Sequence, residues 1–133
     1  MSIPNALFVS SRENALAYVV NGNNDVPGLF EFGGITDLDI SNLFSLATGE
    51  EFDFDKHELL PLNDEQGQNL FELPDRFINV LSARSSSDAH ELATQWSRTE
   101  ELNCDPGGLV PIVEHLLKLS KAVGSNNVYF TQG

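Results

Sequence analysis

The period of the apolar positions changes along this chain, and with it the element each segment predicts. ALFVSS (6–11) and ALAYVVN (15–21) are two β-leaning runs separated by the polar Arg12-Glu13-Asn14. They predict an N-terminal hairpin, closed after the second run by NGNND and Pro27-Gly28. LFEF (29–32) predicts a third short strand that ends at Gly33-Gly34. The spacing then becomes helical: Leu38, Ile40, Leu43, Phe44 and Ala47 predict a helix over about 38–48, with Asp37 or Asp39 as N-cap and Gly49 at its C-terminal stop. HELLPL (57–62) and QNLFELP (68–74) flank the polar NDEQGQ and read as a second hairpin, whose first strand Pro61 places at a sheet edge.

From Pro74 onward the pattern is helical again. Pro74 suits the first helical position, and Phe77, Ile78 and Leu81 form a stripe that ends near Ala83. Ser87 is the expected cap of a helix running to about Leu102, with Ala89, Leu92, Ala93, Trp96 and Thr99 on its apolar face. Leu109, Ile112, Val113, Leu116, Leu117 and Ser120 mark a last helix, with Pro111 in its first turn and Gly124 beyond its end. VYFTQ (128–132) closes the chain as a strand. Strands, a helix, a hairpin, three helices and a strand predict one α+β domain over residues 1–133, with about four helices, three of them consecutive in the C-terminal half.

Between the first predicted helix and the second hairpin lies EEFDFD (50–55). Read as an extended segment, it points Phe52 and Phe54 to the core and Asp53 and Asp55 to the opposite side. The charge of the chain gives this alternation its interest. The formal net charge is -13, and from Glu13 to Asp75 there are fourteen acidic residues against one basic residue, Lys56. That segment therefore carries the whole net charge, while the remaining acids and bases balance. Such a field repels nucleic acid and anionic lipid and favours cationic partners.

Cys104 is the one cysteine, which excludes an internal disulfide and fits a reducing cytoplasm. No apolar run approaches the ~20 residues that span a bilayer. MSIPNALFVSS lacks a basic n-region, so no signal peptide is expected, and the expected location is cytoplasmic.

Candidate chemistry is sparse. Asp53, Asp55 and His57 stand two residues apart, and alternate positions of a strand share a face, so a weak divalent site stays open. An EF-hand loop needs glycine at its sixth position, where counting from Asp53 gives Glu58. No metal or other cofactor is expected. Cys104 with His57, His90 or His115 supplies the candidates for a nucleophile-base pair. Cys104 follows a predicted helix C-terminus, which disfavours a thiolate, and a structural thiol is expected. Ser85-Ser86-Ser87 lacks the Gly-x-Ser-x-Gly setting of a nucleophile elbow. No carboxylate pair stands out in so acidic a chain, and the expectation is a protein without enzymatic activity.

Trp96-Ser97-Arg98-Thr99-Glu100-Glu101 resembles the Trp-Ser-x-Thr-Glu-Glu helix of a group of small bacterial proteins of immunity-like type. The likeness covers about residues 34 to 130: Gly34-Ile35, the helix ending in Thr48-Gly49, the 57–73 hairpin, Leu73-Pro74-Asp75, the amphipathic helix from Leu109 to Ala122 and the closing Val128-Tyr129-Phe130. The tryptophan motif is its specific element. The group is largely uncharacterised, and what the resemblance implies is chiefly the α+β fold.

Resemblance and charge together predict an acidic immunity protein whose partner is basic: a toxin or effector, with nucleases among the candidates because their clefts are basic. The expected contact residues are Glu50, Glu51, Asp53, Asp55 and Glu58, with Asp64 and Glu65 on the adjoining hairpin turn. Direct binding to nucleic acid or membrane is not expected. Two other readings stay open: a DNA mimic or regulatory inhibitor of a nucleic-acid-binding enzyme, which uses the same charge differently, and a small hydrolase or ligand-binding domain whose site forms only in three dimensions. A deep pocket near Trp96 would favour the last.

Overall fold

The computed structural model describes residues 4–21, 29–63, 69–99, 102, 105–124 and 126–132. Five strands, β1 (Pro4–Ser10), β2 (Phe30–Gly33), β3 (Leu60–Asn63), β4 (Asn69–Glu72) and β5 (Asn127–Gln132), form one sheet in the order β2-β1-β5-β4-β3. Every pairing is antiparallel. Among the described residues six α-helices accompany them: α1 (Arg12–Asn21), α2 (Asp37–Thr48), α3 (Phe54–His57), α4 (Asp75–Ser82), α5 (Ala89–Ser97) and α6 (Val110–Lys121). The fold is α+β, as the order of elements predicts. Pro61 lies on β3, the edge strand, where its missing N–H costs no ladder bond.

Both faces of the central strands are covered. Leu7 and Val9 of β1, with Val128 and Phe130 of β5, face the large core built on α2, α4, α5 and α6. Ala6, Phe8 and Tyr129 face the other way, onto Ala15 and Tyr18 of α1. Burial on both faces explains why ALFV reads as a continuous apolar run rather than an alternating one. A buried amide ties the sheet to the entry of α2: Asn5 Nδ2 donates to Ile35 O (2.8 Å) and Thr131 O (3.0 Å), and its Oδ1 accepts from Ile35 N (2.9 Å).

Several boundaries differ from expectation, each for a local reason. ALAYVVN is not the second strand of a hairpin but lies in α1. Ser11 supplies the helix start: its Oγ accepts from Asn14 N (3.3 Å) and its carbonyl from Ala15 N (3.0 Å). Ala15 and Tyr18, three apart, then bury one face, with the Tyr18 ring 4.8 Å from that of Phe8. β1 pairs instead with β2, across α1. α2 is capped by Thr36 rather than by Asp37 or Asp39, and Asp39 is the reciprocal acceptor of a capping box. Gly49 ends α2 with φ 75°, the left-handed conformation expected of its glycine. Pro74 stands one position before the first turn of α4, and Asp88 rather than Ser87 precedes α5. α5 ends at Ser97, short of the expected Leu102, and the Thr99 hydroxyl donates to the Trp96 carbonyl (2.8 Å) at that terminus.

α1 is anchored to the sheet by polar contacts as well. Arg12 donates to Glu72 Oε2 (2.9 Å), and the Tyr129 hydroxyl donates to Glu72 Oε1 (2.9 Å). Burial and the facing Glu72 carboxylate push the Tyr129 phenol up to about 12 from 10.0, and burial raises Tyr18 as well. The folded state thus holds these protons more tightly than the unfolded chain. The corresponding stability is present below about pH 10 and is lost as pH rises through about 12. An alkaline titration followed at the phenolate absorbance band is expected to show no step at the ordinary tyrosine value. Both tyrosines are expected to ionise late, together with loss of the far-ultraviolet signal. An early one-proton step without unfolding would place one ring in water.

Candidate functional site

The segment that follows α2 is built by short-range polar contacts. Ser45 Oγ donates to Glu50 O (3.0 Å), and Glu50 N donates to Thr48 Oγ1 (3.3 Å), which turns the chain away from the helix. The next residues do not continue as an extended run. Asp53 is the N-cap of α3, its Oδ1 accepting from Asp55 N (3.0 Å). His57 N donates to Asp53 O (2.9 Å), and Asp53 N donates to His57 Nδ1 (3.0 Å). Both backbone groups of Asp53 are therefore held by one residue four positions later. Asp is a favoured N-cap residue and Asp55 is an acid in the first turn, a helix-start signal that was available in the sequence.

This local fold overturns the expected orientation at Phe52, while Asp53 and Asp55 are exposed as expected. Phe52 is 38% exposed, the one large apolar side chain left outside among the described residues. The side chain of Phe54 lies outside the described residues. The buried aromatic is His57, fully enclosed, with the Phe44 ring edge-on at 5.0 Å and Phe52 stacked over it at 5.9 Å. Asp53, Asp55 and His57 do not come together as a ligand set. Among the described residues no group of three could hold a metal ion.

The expected contact residues separate into two kinds. Glu51, Asp53, Asp55 and Glu58 are exposed around Phe52 on the 50–58 loop. Glu50 is turned inward to an ion pair with Arg76 of α4, whose guanidinium also lies 5.7 Å from the Phe44 ring centroid. The hydrogen bond from Arg76 outweighs partial burial and holds the Glu50 carboxyl below the usual carboxylate range. Its Oε1 is 3.5 Å from His57 Nε2, which has no hydrogen-bond partner. Asp64 and Glu65, and likewise Cys104, lie outside the described residues. Sequence reasoning missed the roles of Arg76 and His57, because the first comes from another element and the second depends on a turn.

Beside the loop, Asp55 and Glu58 rim a groove of about 290 Å³ walled by Leu59, Pro61 and Pro74. A larger groove, about 540 Å³, runs along α6, where Glu114, His115, Lys118 and Lys121 mix both signs of charge. Trp96 is fully buried and donates from Nε1 to Asp39 O (2.8 Å). Outwardly the 50–58 loop offers four carboxylates and a half-exposed ring. Compared with known proteins, the chain matches no family model, no curated protein and no solved structure.

Proposed function

We propose that this chain is an acidic, non-enzymatic binding protein of the immunity type, which docks a basic toxin or effector on the 50–58 loop. The observation that carries this reading is Phe52, exposed among Glu51, Asp53, Asp55 and Glu58. An aromatic ring surrounded by charge is the composition of an interface centre, where the ring is desolvated by the partner and the carboxylates form the rim. The net charge of -13 steers a cationic partner toward the chain before contact. The groove rimmed by Asp55 and Glu58 suits a lysine or arginine side chain, its stem against Pro61 and Pro74 and its head at the carboxylates. The likeness of the tryptophan motif to immunity-like proteins points to a toxin as the partner.

Co-expression with the product of the gene adjacent to this chain's own is the test, with growth and complex formation as readouts. Rescue of growth together with a stable complex is expected; a toxin neither bound nor neutralised overturns the proposal. The double variant Asp53→Asn, Asp55→Asn reads the role of charge. Asn at position 53 keeps an oxygen for the α3 cap, so stability is expected to stay level or rise slightly as like-charge repulsion falls. The association rate is expected to fall roughly tenfold at low ionic strength and to converge on the wild-type rate at high salt. Stopped-flow mixing at two ionic strengths measures this, and a salt-independent difference would remove the steering role.

A further inference from the structure

His57 combines three features: it is fully buried, its Nδ1 accepts from the Asp53 amide at 3.0 Å, and its Nε2 is left without a hydrogen bond. A backbone N–H can only donate, so Nδ1 must be unprotonated and the neutral ring carries its proton on Nε2. Glu50 Oε1 lies 3.5 Å from Nε2 with no hydrogen bond between them, and the Glu50 carboxylate is paired with Arg76.

We infer that His57 is a proton-sensitive positioning residue. Its neutral ring holds residues 50–53 in the conformation that presents Phe52 and Asp53, and its protonation releases them. The functional half of this inference rests on the proposed docking role of the 50–58 loop; the latch itself does not.

The groups around the ring all bear on the direction of the change. The loop contributes the Glu50 carboxylate and the Asp53 amide, α4 contributes Arg76 through Glu50, and α2 contributes the uncharged Phe44 ring. Phe52 covers the remaining face. In the imidazolium both nitrogens are donors. Nδ1–H and the Asp53 N–H would then oppose each other across 3.0 Å, and the amide has to swing away. At the other nitrogen, the new charge competes with Arg76 for Glu50 and draws that carboxylate inward. Both displacements act on the loop before α3. The bond from His57 N to Asp53 O involves neither ring nitrogen. Phe52, stacked on the titrating ring, moves with it.

The test is nitrogen NMR on the uniformly labelled chain from about pH 8 to pH 5, the range over which an ordinary histidine titrates. At the upper end the His57 Nδ1 shift is expected to be that of a bare acceptor, with a coupling across the hydrogen bond to the Asp53 amide nitrogen. As His57 takes up its proton the coupling is expected to vanish. The protection of the Asp53 amide, its exchange rate taken relative to the intrinsic rate at each pH, is expected to fall about tenfold or more, while amides of β5 keep their protection. Three results overturn the inference: Nδ1 protonated at neutral pH, His57 titrating with the Asp53 amide unmoved, or His57 remaining neutral until the fold is lost. His57→Asn keeps an acceptor near the Nδ1 position without titrating, and is expected to make the loop and partner affinity insensitive to pH. The wild-type measurement decides the latch even where that variant does not fold. A latch that opens while the affinity of the toxin stays constant with pH overturns the docking half of the inference and leaves the latch standing.

Discussion

Trp96→Ala is expected to cost about 3–5 kcal/mol of folding stability, the range for removing a large buried aromatic side chain. Trp96 sits in the core shared by α2, α4, α5 and α6, with no part of it exposed. It also binds two elements directly, since its indole N–H donates to the Asp39 carbonyl in the first turn of α2. The same Asp39 closes the capping box with Thr36, so the indole supports the start of that helix. Truncation leaves a cavity and removes the indole donor to the Asp39 carbonyl together. Trp96→Phe retains much of the volume and loses only the donor, and is expected to fall well short of the alanine cost. Urea denaturation followed by circular dichroism measures both, because Trp96 is the sole tryptophan and fluorescence is lost with it. An alanine variant with an unchanged midpoint would show that the core does not depend on this ring.

Phe52→Ala is expected to behave in the opposite way. The ring is 38% exposed and packs on His57 alone among the aromatic contacts, so its removal is expected to cost less than about 1 kcal/mol of stability. Its loss from a docked interface is expected to cost about 2 kcal/mol or more of binding, roughly a 30-fold weaker complex, mainly through faster dissociation. This separates it from Asp53 and Asp55, whose neutralisation acts on the association rate and fades with salt. Calorimetry on the free variant and dissociation kinetics of its complex with the toxin give the two numbers. Strong destabilisation without loss of affinity in the folded fraction would return Phe52 to a structural role.

Where local pattern and tertiary setting agree, the sequence was a sufficient guide. The stripes Phe77, Ile78, Leu81 and Ile112, Val113, Leu116, Leu117 recur at helical spacing, and all are buried in the common core. The hairpin across NDEQGQ, the edge position of Pro61 and the glycine stop at Gly49 follow from backbone chemistry that each residue carries with it. Agreement failed where a β-branched composition competed with a cap. Val19-Val20 favours a strand, but Ser11 starts a helix and Phe8 offers the surface that Tyr18 buries against. It failed again at Phe52, where alternation implied a strand and the Asp53 cap imposed a turn.

The sequence by itself determined the fold class, the single tryptophan anchor and the confinement of net charge to residues 13–75, because periodicity, side-chain volume and charge are properties of the chain before it folds. Tertiary structure decided which strand pairs with which: β5 enters the sheet between β1 and β4, joining residues more than 120 apart, as in the bond from Asn5 to Thr131. It also decided that Glu50 faces inward to Arg76 while its neighbours face water, and that His57 is enclosed rather than exposed. Those outcomes depend on contacts between distant segments, and a local pattern of apolar and polar residues specifies the face an element buries but not the element it meets there.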